Sequence, residues 1–250
     1  MSGRLYIVGL GPGDTRRLTP EAQEALALAH DIIGYASYVE RVPKRLGQTR
    51  LASDNRVEID RAREALERAS AGRVVAVVSG GDPGVFAMAS AVFEAVDAGA
   101  PHWRDLDIRV MPGVSAMQAA AARFGAPLGH DFCAISLSDN LKPWSLIEKR
   151  LEHAALGDFV IALYNPASRA RPTQILDAFS LLRKLLPGER FVGLAKSIGR
   201  ETEEVILSTL DRVDVAQIDM STLVLIGSSG TKAIPRNNAR GWIYTARSAL

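Results

Sequence analysis

Cysteine is almost missing from this chain: Cys133 is the only one in 250 residues. That excludes a disulfide framework, a thiolate zinc site and an iron–sulfur cluster built within the chain. Cys133 itself sits in the strand-like run Phe132-Cys133-Ala134-Ile135 and reads as an inert core thiol. An excess of one charge is missing too. Thirty Lys and Arg face 28 Asp and Glu, a net charge of +2, too even for a dedicated nucleic-acid binder. No apolar run reaches the ~18 residues of a membrane span. No signal-peptide pattern opens the chain, because Leu5 already begins a strand, so a cytoplasmic protein is expected. There is no internal repeat, no low-complexity tract, no visible Ser-His-Asp triad and no metal-ligand cluster, so no metal is expected.

What is present is two glycine-proline loops, each after an apolar run. Leu5-Tyr6-Ile7-Val8 leads into IVGLGPGD (7–14), and Val74-Val75-Ala76-Val77-Val78 leads into SGGDPGVF (79–86). Glycine lets backbone approach a ligand closely, proline stiffens the turn, and open α/β sheets bind ligands at the carboxyl ends of their strands. Two such loops point to a small-molecule site built from main chain.

Around them, strand and helix patterns alternate. Thr19 before Pro20 marks a helix start, followed by apolar positions to Ala29, and Asp31 to Tyr35 reads as a strand. Residues 36–57, rich in Arg and Lys, take no clear assignment. Glu58 to Ala71 reads as a helix stopped by Gly72, and Val85 to Ala98 as another, with Phe86, Ala89, Phe93 and Val96 facing inward. Asp107 to Met111 is a strand. This βαβ succession predicts a mainly parallel sheet covered by helices. After Pro112-Gly113 a small-residue helix runs from Ser115 to Phe124. Ser145-Leu146-Ile147-Glu148 has capping-box spacing and opens a helix to Leu156. Another helix is expected from Pro172 to Leu186. Residues 132–136 and 159–164 read as strands on either side of the helix to Leu156, and the later strands at 191–195, 204–207, 222–226 and 242–245 are closely spaced, which predicts antiparallel pairs in a mixed sheet. The expectation is therefore an α/β protein of two domains, 1–112 with a mainly parallel sheet and 113–250 with a mixed one.

The first loop is a poor dinucleotide fingerprint, because its third glycine is misplaced for Gly-x-Gly-x-x-Gly and no helix opens directly after it. No Walker lysine follows either loop. A nicotinamide-dependent oxidoreductase remains an alternative, with Asp31 near the spacing expected of a ribose-binding acid. The loops have company, however. Pro112-Gly113-Val114-Ser115-Ala116, Tyr164-Asn165-Pro166, Ala195-Lys196-Ser197-Ile198-Gly199-Arg200 and Ile226-Gly227-Ser228-Ser229 follow in this order. Together they resemble the tetrapyrrole C-methyltransferases, over nearly the whole chain. Residues 112–144 and 158–172 are similar to the branch that methylates precorrin-3B at C17 while contracting the ring.

The resemblance implies two α/β domains with the cofactor in the cleft between them, a homodimer, a tetrapyrrole substrate and S-adenosylmethionine as methyl donor. The site it implies for the cofactor takes in Pro12, Gly80, Gly81, Asp82, Val85, Ser115, Ala116, Tyr164, Asn165, Lys196, Ile198, Gly227 and Ser228. The aspartate that sirohaem-type members carry after the tyrosine matching Tyr35 is Ala36 here, so that carboxylate is not carried over. Methylation itself asks the protein mainly to align two reacting atoms; ring contraction also needs proton donation and removal. His130, Asp131, Ser136 and Asp139 are candidates for this. His130 suits an acid near neutral pH and equally a cap on its own turn; Asp139-Asn140 suits a turn as well. The substrate's carboxylate arms call for cations. Asp14, Lys142, Arg169 and Arg171 are the candidate substrate contacts, and Arg41, Lys44, Arg45 and Arg56 are further cations in the unassigned stretch. A cobalt-containing substrate and a noncatalytic tetrapyrrole carrier remain alternatives to the metal-free reaction.

Overall fold

The structure, a computed structural model, describes residues 3–54, 57–168, 171–237 and 239–248. Arg56 and Arg169 lie outside them. The chain divides into two compact units, Met1–Ala116 and Met117–Leu250.

The first unit runs β1 (Arg4–Gly9), α1 (Pro20–Leu28), β2 (Asp31–Tyr35), α2 (Ala36–Val39), β3 (Thr49–Ser53), α3 (Glu58–Ser70), β4 (Val74–Ser79), α4 (Met88–Ala98) and β5 (Asp107–Met111). Its five strands form one sheet in the order β3-β2-β4-β1-β5, parallel at every pair. Alternation along the strands explains the two helical layers. Leu5, Ile7, Val75 and Val77 pack with α3 and α4, whereas Tyr6, Val8, Ala76 and Val78 pack with α1 and Val39 of α2. The adjacent strands β1 and β4 thus send their following helices to opposite faces, which opens a crevice at their carboxyl ends. Thr19 caps α1 as expected, its hydroxyl accepting from the Ala22 N–H at 3.2 Å.

Several expectations need correction. The helix expected from Val85 starts at Met88. Phe86 lies before it with φ +52°. Because the helix starts later, its buried positions are Met88, Ala89, Ala91, Val92 and Ala95, and both Phe86 and Phe93 are exposed. The unassigned 36–57 stretch contains α2 and β3.

The second unit runs α5 (Ala116–Phe124), β6 (Gly125–Ala126), β7 (Phe132–Ser136), α6 (Trp144–Leu156), β8 (Val160–Tyr164), α7 (Gln174–Leu185), β9 (Phe191–Lys196), β10 (Glu204–Thr209), β11 (Thr222–Ile226), β12 (Thr231–Ile234) and β13 (Trp242–Thr245). The main sheet is mixed, in the order β10-β9-β11-β8-β7, parallel between β7 and β8 and antiparallel elsewhere. One face buries Ile135, Ile161, Leu163, Val192 and Leu194 against Leu151 of α6 and Phe179 of α7. On β9, a Cβ at Gly193 would lie 2.7 Å from the ring of Phe124, so glycine makes room for that fully buried side chain. β13 does not join this sheet; it pairs antiparallel with β12 and parallel with β6 in a separate three-stranded one. The capping box at Ser145 is absent as well. α6 begins at Trp144, follows Pro143 and has no side-chain cap.

Candidate ligand-binding edges

At the carboxyl edge of the first unit's sheet, the two glycine loops are tied to each other. Gly11 and Gly81 exchange backbone bonds, N–H to O at 3.1 Å and 3.0 Å, so chains that were parallel in β1 and β4 meet antiparallel beyond them. Three glycines cross here. A Cβ at Gly113 would lie 2.4 Å from the Gly81 carbonyl oxygen and 3.1 Å from the Gly9 Cα; one at Gly9 would lie 2.9 Å from the Gly113 Cα. No side chain fits that junction. Asp82 fastens it, with Oδ1 accepting from the Gly84 N–H at 2.8 Å and Oδ2 from the Gly113 N–H at 3.0 Å. Gly80 is pressed by Tyr38, whose ring carbon would stand 2.8 Å from a Cβ there. Gly81 is different. At φ +68° its Cβ direction meets nothing nearer than the Ala116 N at 3.8 Å and the Ser115 Cα at 3.9 Å, a cradle between the second loop and the start of α5.

Arg41 holds the first loop from below. Its Nη2 donates to the carbonyls of Leu10 (2.9 Å), Gly11 (2.7 Å) and Gly13 (2.8 Å). It serves the loop itself, which its place among the candidate cations did not suggest. Pro12 is buried and its carbonyl accepts from Arg17 at 2.9 Å. Asp14 caps the short turn Thr15–Arg17 and is paired with the exposed Arg16 at 2.7 Å. The hydrogen bond from Arg16 draws its carboxyl below the usual range. Pro12, Gly80, Gly81, Asp82, Val85, Ser115 and Ala116 thus all belong to this one edge.

In the second unit, the ends of β7, β8 and β9 share an edge. Asn165, at φ +51°, donates through Nδ2 to the Ser136 Oγ at 2.9 Å, and Ser136 is buried. The Tyr164 hydroxyl accepts from the Met117 N–H at 3.0 Å. Asp139 accepts from Gln174 Nε2 at 3.2 Å and stands 3.8 Å from Arg171 Nε. Burial, then the neighbouring Arg150 and Arg171, press the Lys142 ammonium below its usual pKa, with Asp139 opposing. Lys196 at the end of β9 is paired with Asp219 at 2.6 Å, which raises the lysine's pKa. Burial works against the Asp219 anion, yet hydrogen bonds from Lys196, Ser221 and Thr222 bring its carboxyl down to about 2. Ile198 is buried just beyond.

The remaining candidates lie at the opposite edge. His130 precedes β7, and its Nδ1 accepts from the Asp131 N–H at 2.8 Å, so it caps its own turn. β7 alone, from Phe132 to Ser136, sets its two ends roughly 13 Å apart at ~3.3 Å per residue, with His130 beyond the far end. Gly227 and Ser228 follow β11, which is antiparallel to β8 and β9; the Gly227 N–H donates to the Phe191 carbonyl at 2.9 Å and the Ser228 N–H to Thr231 Oγ1 at 2.9 Å. The structure therefore gathers Ser136, Asp139, Lys142, Tyr164, Asn165, Arg171 and Lys196, and sets His130, Gly227 and Ser228 apart from them.

Residues 4–214 match the family profile of the Tetrapyrrole (Corrin/Porphyrin) Methylases. The chain belongs to the tetrapyrrole methylases. Among individual relatives of this methylase, a protein from Sinorhizobium sp named precorrin-3B C(17)-methyltransferase is 53% identical over 247 residues, 99% of this chain and 97% of its own. A Salmonella typhimurium protein named probable cobalt-factor III C(17)-methyltransferase is 42% identical over 91% of this chain and 93% of its own. The crystal structure of the methyltransferase CobJ superposes with a TM-score of 0.93 at 48% identity, covering 98% of this methylase and all of that chain. The nicotinamide alternative finds no support. Asp31 opens β2, at the amino end of the sheet and away from the glycine loops, and is fully buried against Arg73 and Arg68, so it has no face to offer a ribose. No helix of the described residues is long and apolar enough to cross a membrane.

The sequence reading missed Arg41 as a loop clamp, Tyr38 against Gly80 and Gln174 on Asp139. Each partner lies more than 25 residues away, and no local pattern signals such contacts.

Proposed function

We propose that this chain is an S-adenosylmethionine-dependent methyltransferase of cobalamin biosynthesis that methylates precorrin-3B at C17 and contracts the macrocycle to give precorrin-4. The observation that carries this reading is the 53% identity, end to end, with the relative named for that reaction. The cradle at Gly81 fits the cofactor: it is open, lined by main chain, and faces the Ala116 amide. Gly80, Gly81, Asp82, Ser115 and Ala116 of the first unit are the residues assigned to this cradle.

When bound, S-adenosylmethionine supplies an electrophilic methyl group on a sulfonium. The chain's part in methylation is alignment, which is worth roughly 7–11 kcal/mol where the geometry is tight. The glycine junction suits that task because its close backbone crossings leave little room to shift. Proton handling during contraction falls to Ser136 and Asp139. Ser136 is held by Asn165, and Asp139 accepts from Gln174 and stands near Arg171; the hydroxyl and the carboxylate are the groups there that can give or take a proton. His130 is left a structural cap. The reading carries a homodimer and a cytoplasmic location with it.

A cobalt-containing substrate is the second reading, favoured by the 42% identity with the relative named for cobalt-factor III. One experiment tests both. The purified chain is incubated anaerobically with S-adenosylmethionine and either precorrin-3B or its cobalt counterpart, and the products are read by mass spectrometry and NMR. A methylated, ring-contracted product from the metal-free substrate is expected. Turnover of the cobalt form alone would transfer the reading to the second, and methyl transfer to neither would end both. Sedimentation velocity checks the dimer.

A further inference from the structure

At the ends of β7 and β8 positive charge outweighs the carboxylate set against it. The Arg171 side chain is only 12% exposed, and its Nη1 is buried with no acceptor among the described residues. Leaving a buried donor so costs about 1–3 kcal/mol, more for a charged group. Its Nε faces Asp139 Oδ1 at 3.8 Å, beyond hydrogen-bond range, while the other Asp139 oxygen is engaged by Gln174. Gln174 Oε1 is also buried without a donor. Lys142 is within electrostatic reach of Asp139, and burial, then Arg150 and Arg171, make its own charge unfavourable. One aspartate thus serves two cations, one of which has an N–H directed at nothing.

We propose, resting on the function given above, that Arg171 and Lys142 form a socket for one carboxylate arm of the macrocycle, and that Asp139 is the internal counter-charge this arm relieves. The chemistry selects a carboxylate. A guanidinium fork binds one through parallel N–H bonds, the arm satisfies Nη1, and the second negative charge favours the Lys142 ammonium. The cofactor's methionine end carries a carboxylate too, so the test separates the two sources.

Binding is measured by equilibrium dialysis without turnover, with precorrin-3B alone and with S-adenosylhomocysteine alone. Wild type is compared with Arg171→Ala, Arg171→Lys, Lys142→Met and Asp139→Asn. Arg171→Ala and Lys142→Met are expected to weaken macrocycle binding about tenfold or more, the loss typical of one partner in a buried charged pair. Arg171→Lys keeps the charge without the fork and recovers part of that loss. Asp139→Asn removes the competing charge and keeps an oxygen for Gln174, so it tightens macrocycle binding. S-Adenosylhomocysteine binding stays within about twofold throughout. Three results overturn the proposal: unchanged macrocycle affinity in Lys142→Met and the Arg171 variants, a loss in Asp139→Asn as large as in Arg171→Ala, which would make the pair a strut, or a parallel loss of S-adenosylhomocysteine, which would give the carboxylate to the cofactor. If Arg171→Ala does not fold, Arg171→Lys and Lys142→Met decide. Wild type that shows the expected pattern yet transfers no methyl group overturns the reading of the function and leaves the socket standing.

Discussion

The two units build the carboxyl edges of their sheets from different materials. In the first, all five strands run the same way and deliver their loops to one edge. The crowding is so close that neither Gly9 nor Gly113 has room for a Cβ where they cross beside the Gly81 carbonyl, and the edge is peptide. In the second, β10 and β11 run against β7, β8 and β9, so fewer strands finish together. The space left is taken by side chains: Ser136, Asp139, Asn165, Arg171 and Lys196. Parallel topology yields a rigid main-chain surface, suited to a constant cofactor; mixed topology leaves side chains to deal with charge and protons.

That contrast is breakable. The largest effect is expected from Gly113→Val. A Cβ 2.4 Å from a carbonyl oxygen cannot be absorbed by a side chain, because the neighbours are backbone, so a stability loss of about 3 kcal/mol or more is expected in urea melts. A variant as stable as wild type would mean that the first unit's edge is no tighter than the second's. Next is Asp31→Asn. Removing one side of a buried pair costs about 3–5 kcal/mol, and because Arg73 is 40% exposed the expected loss is nearer ~2 kcal/mol. The hydrogen bond from Arg73 holds the Asp31 carboxyl below its ordinary value. The stability it contributes is therefore present above pH ~4 and drains away as pH falls through the lower folded value. The gap between variant and wild type should close in acid, and a constant gap down to acid unfolding would refute the assignment.

Smaller effects refine the contrast. Gly81→Val has space but must adopt φ +68°, a strain of roughly 1–2 kcal/mol. The fold should survive while S-adenosylmethionine affinity, read by calorimetry, drops about tenfold or more, since the new side chain fills the cradle. Unchanged affinity would place the cofactor elsewhere. Asn165→Gly relieves the left-handed backbone but releases Ser136. Stability should stay within about 1 kcal/mol while contraction slows more than methylation, and equal slowing would remove Ser136 from the proton chemistry. The smallest effect is at Cys133, whose thiol burial pushes up to about 11. Disulfide reagents at neutral pH should label it slowly in the folded protein and quickly in denaturant.

Periodic signals made most of the fold legible. β1, β2, β4 and β5 and the Thr19-Pro20 start of α1 were readable because a single physical rule, alternation or capping, acts within a few residues. β6 and β12 were not: a two-residue and a four-residue strand carry too little pattern. Phe86 and Phe93 misled because helical spacing was counted from Val85, before the backbone turned at φ +52°. Ser145 misled because Pro143 and Trp144 start the helix one residue earlier. In the site, the glycine loops were visible because their composition is unusual. Their fastening by Arg41 and Asp82 was not, because it depends on which distant loops the sheet order makes neighbours. The same topology put His130 at the far end of β7, something sequence proximity to Ser136 concealed.

The clamp at Arg41 also gives the two edges different endurance. A guanidinium keeps its proton across the whole range in which proteins survive, and the three carbonyls it grips have no proton to gain. Acidification that neutralises Asp219, whose carboxyl titrates at about 2, leaves that grip untouched. As pH falls that far, the Lys196–Asp219 pair at the end of β9 should be lost while the three loop carbonyls stay gripped.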